Sequence, residues 1–386
     1  MSDGRARLAC LALTATVLAA LALVTQSITF GDGLGYDGQR YATMVRDLRT
    51  GLRDPVSSLA AYRLLAPILV ALTGLDVRVG FLLLDAIATV VAAQAILAIL
   101  RQSGAAAAQA LLGVFWWLLV PFGARAYLHY PVLTEALSLA LTALLALAAL
   151  RRATLTFAVL LALAVIAREN LMVMLPFLFI ALASGGTRGA LRRTALAALP
   201  AAIVLILVRG FAPVPADPVI ALPGAALLNA FVFLLNVDQH AWRTLLALLF
   251  TFGALPAVAV ALHPRIVLNL RREPAWAYLA AATVLTTVLG GIDHDRYAAP
   301  LALPLVALVF GGSTAFVRRG AAALTALHGA LAILPFSGGG DEFSYRARAF
   351  STMDHTRLAP SAGLLLGGAL AAWLVTRGGR ALPRAR

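Results

Sequence analysis

Gly31-Asp32-Gly33-Leu34-Gly35-Tyr36-Asp37-Gly38-Gln39-Arg40-Tyr41 opens the one long polar interval in the first hundred residues, which runs on to Tyr62-Arg63. An apolar run, residues 8–30, precedes it, and another, residues 78–100, follows. Each is close to the ~20 residues that carry a helix across a ~30 Å hydrocarbon core. The interval therefore reads as a loop between two membrane crossings. Two Asp, several Gly and two Tyr in so short a stretch are costly beside lipid unless the loop binds something, which marks it as the place where chemistry is carried.

Composition extends this reading to the whole chain. Sixty-one per cent hydrophobic and 12% charged residues, with a mean hydropathy of +0.90 over 386 residues, lie far from soluble globular proteins. The ~10-residue alternation of an outer-membrane barrel is absent. The expected fold is all-α and polytopic, a single integral membrane domain over residues 1–386. Hydropathy places about 12 transmembrane helices (range 10–13), at 8–30, 78–100, 105–122, 132–150, 153–167, 170–184, 194–211, 243–262, 275–291, 298–317, 320–336 and 359–376. The first loop, 31–77, is expected to carry short juxtamembrane helices, and a second polar outer loop covers 337–358. Leu64 to Gly74 and Leu222 to Asn236 are too short or misplaced to span and read as helices along or dipping into the outer face. The first apolar run is longer than the 7–15-residue core of a signal peptide, so it is expected to be a retained helix.

All 31 basic residues are Arg, and their placement tests the count of crossings. With the N-terminus inside, the cytoplasmic segments hold 17 Arg against Asp3 and Glu273, while the remaining 14 Arg face 15 acids. That asymmetry fits the positive-inside rule, with both termini cytoplasmic and the polar loops extracytoplasmic. The net charge of +14 thus belongs to membrane topology and gives no reason to expect nucleic acid as a partner. The single cysteine, Cys10, lies in the first apolar run and excludes a disulfide framework or a Cys-based metal site. Inner loops are short, Arg-rich and free of a G-x-x-x-x-G-K phosphate loop, so a soluble nucleotide donor has no place to sit.

Candidate residues gather on the outer side. Asp37 fits a general base, since flanking Gly lets a substrate approach and a carboxylate can take a hydroxyl proton; it equally fits the cap of a helix starting at Gly38 or Gln39. Asp32 has the same two readings. Tyr62 and Arg63 stand where the chain re-enters the membrane, and an Arg fork there suits either a lipid-linked phosphate or lipid headgroups. Glu135 opens a helix, where it is a functional carboxylate or a complement to the helix dipole. Arg168 and Glu169 form a substrate clamp or a self-satisfied ion pair, and Asp85 reads as a buried hydrogen-bond partner. Gln39, Arg40, His129 and His240 are placed as acceptor or loop contacts, with His129 more naturally a local hydrogen-bonder than a metal ligand. Asp293 and Asp295 in D-H-D could hold a divalent cation, Mg or Mn, although three adjacent residues rarely converge on one ion; Arg296 beside them could contact phosphate.

This pattern resembles the GT-C superfamily of membrane glycosyltransferases, which use polyprenyl-phosphate-linked sugars. The matching segments are the first outer loop with Asp32 and Asp37, the returning Tyr62-Arg63, the T-E-A of Thr134 to Ala136 and the A-R-E-N of Ala167 to Asn170. G-Y-D-G-Q-R-Y in particular is similar to the G-Y-D-G-Q-[FY]-Y segment of a group of bacterial multispan proteins; Arg40 departs from that group's aromatic position. The likeness covers roughly residues 1–185. It implies a GT-C-like bundle, Asp37 first and Asp32 second as catalytic base, and a donor phosphate near Arg63, Arg168 or Arg296. The partners implied are a polyprenyl-phosphate-linked sugar, membrane lipids and a glycan, lipid or protein acceptor. Transfer would take place on the extracytoplasmic face of a bacterial inner membrane. The competing expectation is a multi-pass transporter or lipid flippase, which shares an even count of spans and would use Asp85, Glu135, Arg168 and Glu169 as an internal path.

Overall fold

The structure is a computed structural model and describes residues 2–25, 27–29, 31–51, 62–211, 263–289 and 299–311. All regular elements among them are helical, and no strand occurs among the described residues. Among the described residues four helical runs are long and apolar enough to cross a membrane: α1 (Asp3–Val24), α4 (Val77–Gln102), the composite Ala107–His129 and Thr187–Gly210 within α10 (Thr187–Phe211). The composite consists of α5 (Ala107–Leu118), a π-helical turn (Pro121–Arg125) and α6 (Ala126–His129). Shorter apolar helices complete the bundle: α7 (Glu135–Leu150), α8 (Thr154–Ala167), the 3₁₀ turn Glu169–Val173 with α9 (Met174–Ala183), α12 (Ala275–Leu289) and α13 (Ala302–Phe310). The expected spans at 243–262, 320–336 and 359–376, the helix at 222–236 and the loop 337–358 lie outside the described residues.

Polar contacts sort the helix ends into two groups. At one end, Arg101 reaches Asp3 at 3.1 Å, Gln94 donates to the carbonyl of Arg7, and Gln102 donates to that of Leu150. Arg152 meets Ser184 there, and Arg193 meets Thr154 and the Arg152 carbonyl. This is the arginine end. The opposite, loop end joins Ile28 to His129, Glu135 to Arg168, and Arg209 to Glu169. From α1 to α10 the chain therefore alternates between the two ends seven times, in the register of the first seven expected spans. Only four of the helical runs have the length and hydropathy of a full crossing; α8, at 14 residues, is only ~21 Å long.

Small residues bring the helices close. α4 packs against α7, and Ala88, Ala92, Ala95 and Ile99 of the one and Ala136, Ala140, Ala143 and Ala146 of the other belong to one continuous buried core, where small side chains let helix backbones approach without a water-driven hydrophobic effect. α8 and α9 both pack against α7 and α10, and Phe177 meets the Trp276 ring edge-on at 5.2 Å to tie α12 to α9. The outward faces of α1, α4, α8 and α10 carry exposed Leu, Ile and Val, as surfaces turned to lipid do.

The polar interval folds as two helices. α2 (Gly35–Thr50) is amphipathic and buries Tyr41, Met44 and Val45 against Ala66 and Val70 of α3 (Leu65–Thr73), Phe81 of α4 and Val132. Arg49 locks the two together by donating to the carbonyls of Val70, Ala71 and Leu75. The expected short helix after Leu64 is α3, nine residues long. A further amphipathic helix, α11 (His263–Arg272), stands at the arginine end, where Asn269 donates to the carbonyls of Leu308 and Gly311.

Candidate functional site

The start of α2 is set by backbone conformation. Gly31, Asp32, Gly33 and Gly35 all have positive φ, at 60°, 57°, 81° and 72°. Leu34 precedes the helix with no side-chain cap, so α2 begins at Gly35. This corrects the expectation that Asp37 caps a helix starting at Gly38 or Gln39: Asp37 lies in the first turn, where a carboxylate complements the helix dipole. The glycines admit a neighbour. The Tyr130 ring occupies the space a Cβ on Gly35 would fill, and its hydroxyl accepts from the Gly38 amide at 3.0 Å. Ile28, Tyr130 and Leu133 pack as a small cluster, with the Ile28 amide donating to the His129 carbonyl at 2.8 Å. Arg125, fully buried, donates through Nε to Thr25 Oγ1 at 3.2 Å, so the exit of α1 and the α6–α7 connection form one platform under α2.

On that platform Asp37 is 29% exposed at the side chain and sits 3.5 Å from Arg40. Asp32 is exposed, and the exposed Gln39 folds back over Gly31. One turn along α2, Tyr41 is buried beside Phe81, with ring centroids 6.3 Å apart, and its hydroxyl accepts from Arg63 Nη1 at 3.4 Å. A carboxylate open to solvent thus shares a helix face with a phenol that an Arg holds. The Arg78 guanidinium, from the first turn of α4, lies against Gly33 on the other side of the loop.

A second group is buried deeper. Arg168 Nη1 donates to Glu135 Oε1 at 3.3 Å, while Glu135 Oε2 accepts from the Thr134 amide at 3.1 Å. Arg168 and Glu169 are therefore not a self-satisfied pair: the extended backbone at Arg168 turns the two side chains to different partners. Glu169 faces Arg209 at 4.0 Å, and Arg209 also lies over the Tyr62 ring, 5.1 Å from its centroid. Asp85 is 4% exposed, as expected of an interior group, but neither of its oxygens has a hydrogen-bond partner. The expectation that it is a hydrogen-bond partner fails because its neighbour Thr89 turns its hydroxyl to the Asp85 carbonyl instead.

Tyr62, Arg63, His129, Glu135, Arg168 and Glu169 all fall at the loop end together with Asp32, Asp37, Gln39 and Arg40. His129 is buried. His240, Asp293, Asp295 and Arg296 lie outside the described residues. No group of three or more His, Cys, Asp or Glu that could hold a metal ion occurs among the described residues. Sequence reasoning did not single out Arg209, Arg125 or Arg78; it placed Tyr130 on the outer side with His129 and Glu135 but gave it no role. Arg209 carried the one usable signal, a cation at the loop end of an apolar run; the others are identified only by what packs on them. No protein-family model, curated protein or solved structure matches the chain.

Proposed function

We propose that this membrane protein is a glycosyltransferase that moves a sugar from a polyprenyl-phosphate donor to a cell-envelope acceptor, with Asp37 as base. The observation that carries this reading is the face of α2 on which a solvent-reachable carboxylate, Asp37, stands one turn from Tyr41 and the Arg63 that holds it. Asp37 takes the proton of an acceptor hydroxyl as that oxygen bonds to the anomeric carbon. The bond from that carbon to the phosphate oxygen breaks, with its electron pair leaving on the phosphate, and configuration inverts. The leaving group is already anionic, so nearby cations matter more than a general acid. Arg63, and Arg209 stacked on Tyr62, are the guanidiniums suited to a lipid-linked phosphate at this end. The loop end then faces the extracytoplasmic side of a bacterial inner membrane, and the arginine end the cytoplasm.

The test is binding and turnover of a short-chain polyprenyl-phosphate sugar by the full chain in detergent or nanodiscs. Wild type binds; Asp37→Asn binds but does not transfer; Arg63→Ala and Arg209→Ala lose donor affinity. Transfer that survives Asp37→Asn removes the base assignment, and absence of donor binding by wild type removes the transferase reading. The second reading, a multi-pass transporter or flippase, is favoured by Asp85, an unpartnered carboxylate inside the bundle.

A further inference from the structure

The interface between α4 and α7 is one of the two most extensive among the described helices, and amid its alanines it carries a set of buried polar groups towards the loop end. Asp85 and Thr89 from α4, with Thr134, Glu135, Ser138 and Thr142 from the start of α7, are all buried to at least 95%. Ser138 donates to the Thr134 carbonyl and Thr142 to the Ser138 carbonyl, the i−4 pattern that settles a hydroxyl inside an apolar helix pair. Against that settled background three atoms at the loop end of the seam have no hydrogen-bond partner: Oδ1 and Oδ2 of Asp85 and Oγ1 of Thr134. Asp85 also lies within the electrostatic field of Glu135.

Among the described residues Arg168 neutralises Glu135 at 3.3 Å, so that Asp85, when ionised, is a negative charge with no cation paired to it there. Among the described residues the titratable and charged groups on elements packed against this part of α4 are Glu135 from α7, with Arg168 behind it, Arg125 from the π-helical turn, Tyr127 and His129 from α6, and Tyr41 of α2 on Phe81; Arg125 is directed to Thr25. An unpaired ionised carboxylate in such surroundings costs several kcal/mol or more. A single bound positive charge removes that cost, and oxygen ligands of this kind suit a small hard cation.

We propose that the loop end of the α4–α7 seam is a binding site for one monovalent cation, Na⁺ or a proton, held by Asp85 with Thr134 Oγ1 and Glu135 beside it. The site stands on Asp85 and is independent of Asp37 and of the transferase reading.

The test compares wild type, Asp85→Asn and Thr134→Val, each as the full chain in nanodiscs, by thermal unfolding and by ²²Na⁺ binding. One arm varies NaCl against choline chloride at fixed ionic strength and pH; the other varies pH from about 5.5 to 8.5 without Na⁺. If the ligand is Na⁺, wild type gains melting temperature saturably with Na⁺ and binds ²²Na⁺ one to one, Thr134→Val needs more Na⁺, and Asp85→Asn does neither. If it is a proton, wild type melts higher at low pH, Thr134→Val keeps that response and Asp85→Asn loses it down to the part that Glu273 contributes. Asp37→Asn retains whichever response wild type shows. A wild type insensitive to both Na⁺ and pH, or responses identical in wild type and Asp85→Asn, overturns the proposal. Should Asp85→Asn fail to fold, Asp85→Ser takes its place, and the pH arm is run for both chains in the Glu273→Gln background so that Glu273 does not contribute; a response identical with and without the Asp85 carboxyl overturns the proposal.

Discussion

Arg168 at the end of α8 places Nη1 3.3 Å from Oε1 of Glu135 at the start of α7, and both side chains are more than nine-tenths buried. The pair closes the loop end of the bundle, where three helix termini meet. Breaking one partner strands the other in a low-dielectric interior. Glu135→Ala or Arg168→Ala is expected to lower stability by about 3–5 kcal/mol, whereas the apolar double variant Glu135→Leu with Arg168→Met recovers most of it. Unfolding midpoints of the two singles and the double, treated as a double-mutant cycle, measure this; strictly additive losses would show that the two side chains are not coupled.

Docking of α2 depends on glycine where Tyr130 lies. Gly35 has φ +72° and its missing Cβ is replaced by the Tyr130 ring, while Gly51, at φ +73°, faces open space. Gly51→Ala is expected to cost only the left-handed backbone term, about 1–2 kcal/mol. Gly35→Ala bears the same term plus a clash with an aromatic ring and is expected to cost more and to free α2. Hydrogen exchange of the α2 amides reads the difference: faster exchange in Gly35→Ala than in Gly51→Ala supports the steric role, and equal exchange removes it.

The apolar helices were legible because apolar length and Arg at one end are local properties, although only four among the described residues are long enough to cross a membrane. The run 78–100 became Val77–Gln102, 153–167 became Thr154–Ala167, and the reversal at Arg168-Glu169 followed from Arg pairs on either side. The start of α2 was not legible, because the favoured capping types pointed to Asp37 as the cap while the cap is Leu34 and the helix begins at Gly35, three residues before Gly38. Nor was the partner of Glu169 legible. Arg209 is far away in sequence, and only the packing of α10 against α8 and α9 brings it over Tyr62.

Glu273, in the turn between α11 and α12 at the arginine end, has its carboxyl pushed above the usual glutamate range by partial desolvation, with Arg152 opposing. A raised carboxyl means that the folded chain holds the proton more tightly than the unfolded one. Stability is then unaffected below the ordinary glutamate value, falls as pH rises from there through the raised value, and stays lower above it. Glu273→Gln removes this loss. The side chain is exposed, so the gain at neutral pH is small, under about 0.5 kcal/mol after screening. Unfolding of wild type and variant at pH about 3.5 and 7.5 tests the sign: the two should coincide at the lower pH and the variant should be the more stable at the higher.

Asp32 and Asp37 were equal in kind as sequence and are separated by the backbone. Asp32 is an exposed residue at φ +57° between two glycines that share the left-handed conformation, so its geometry is that of a turn. Asp37 is held by a helix whose position Tyr130, Phe81 and Val132 fix. Replacing Asp32 by Gly relieves a left-handed side chain by about 1 kcal/mol, offset by a similar gain of freedom in the unfolded chain, so stability should stay within about 0.5 kcal/mol. If Asp37 is the base, Asp32→Gly keeps sugar transfer while Asp37→Asn abolishes it at unchanged stability. The reverse pattern, with transfer lost in Asp32→Gly and kept in Asp37→Asn, would move the reaction from the helix to the turn and leave Asp37 as a dipole partner of α2.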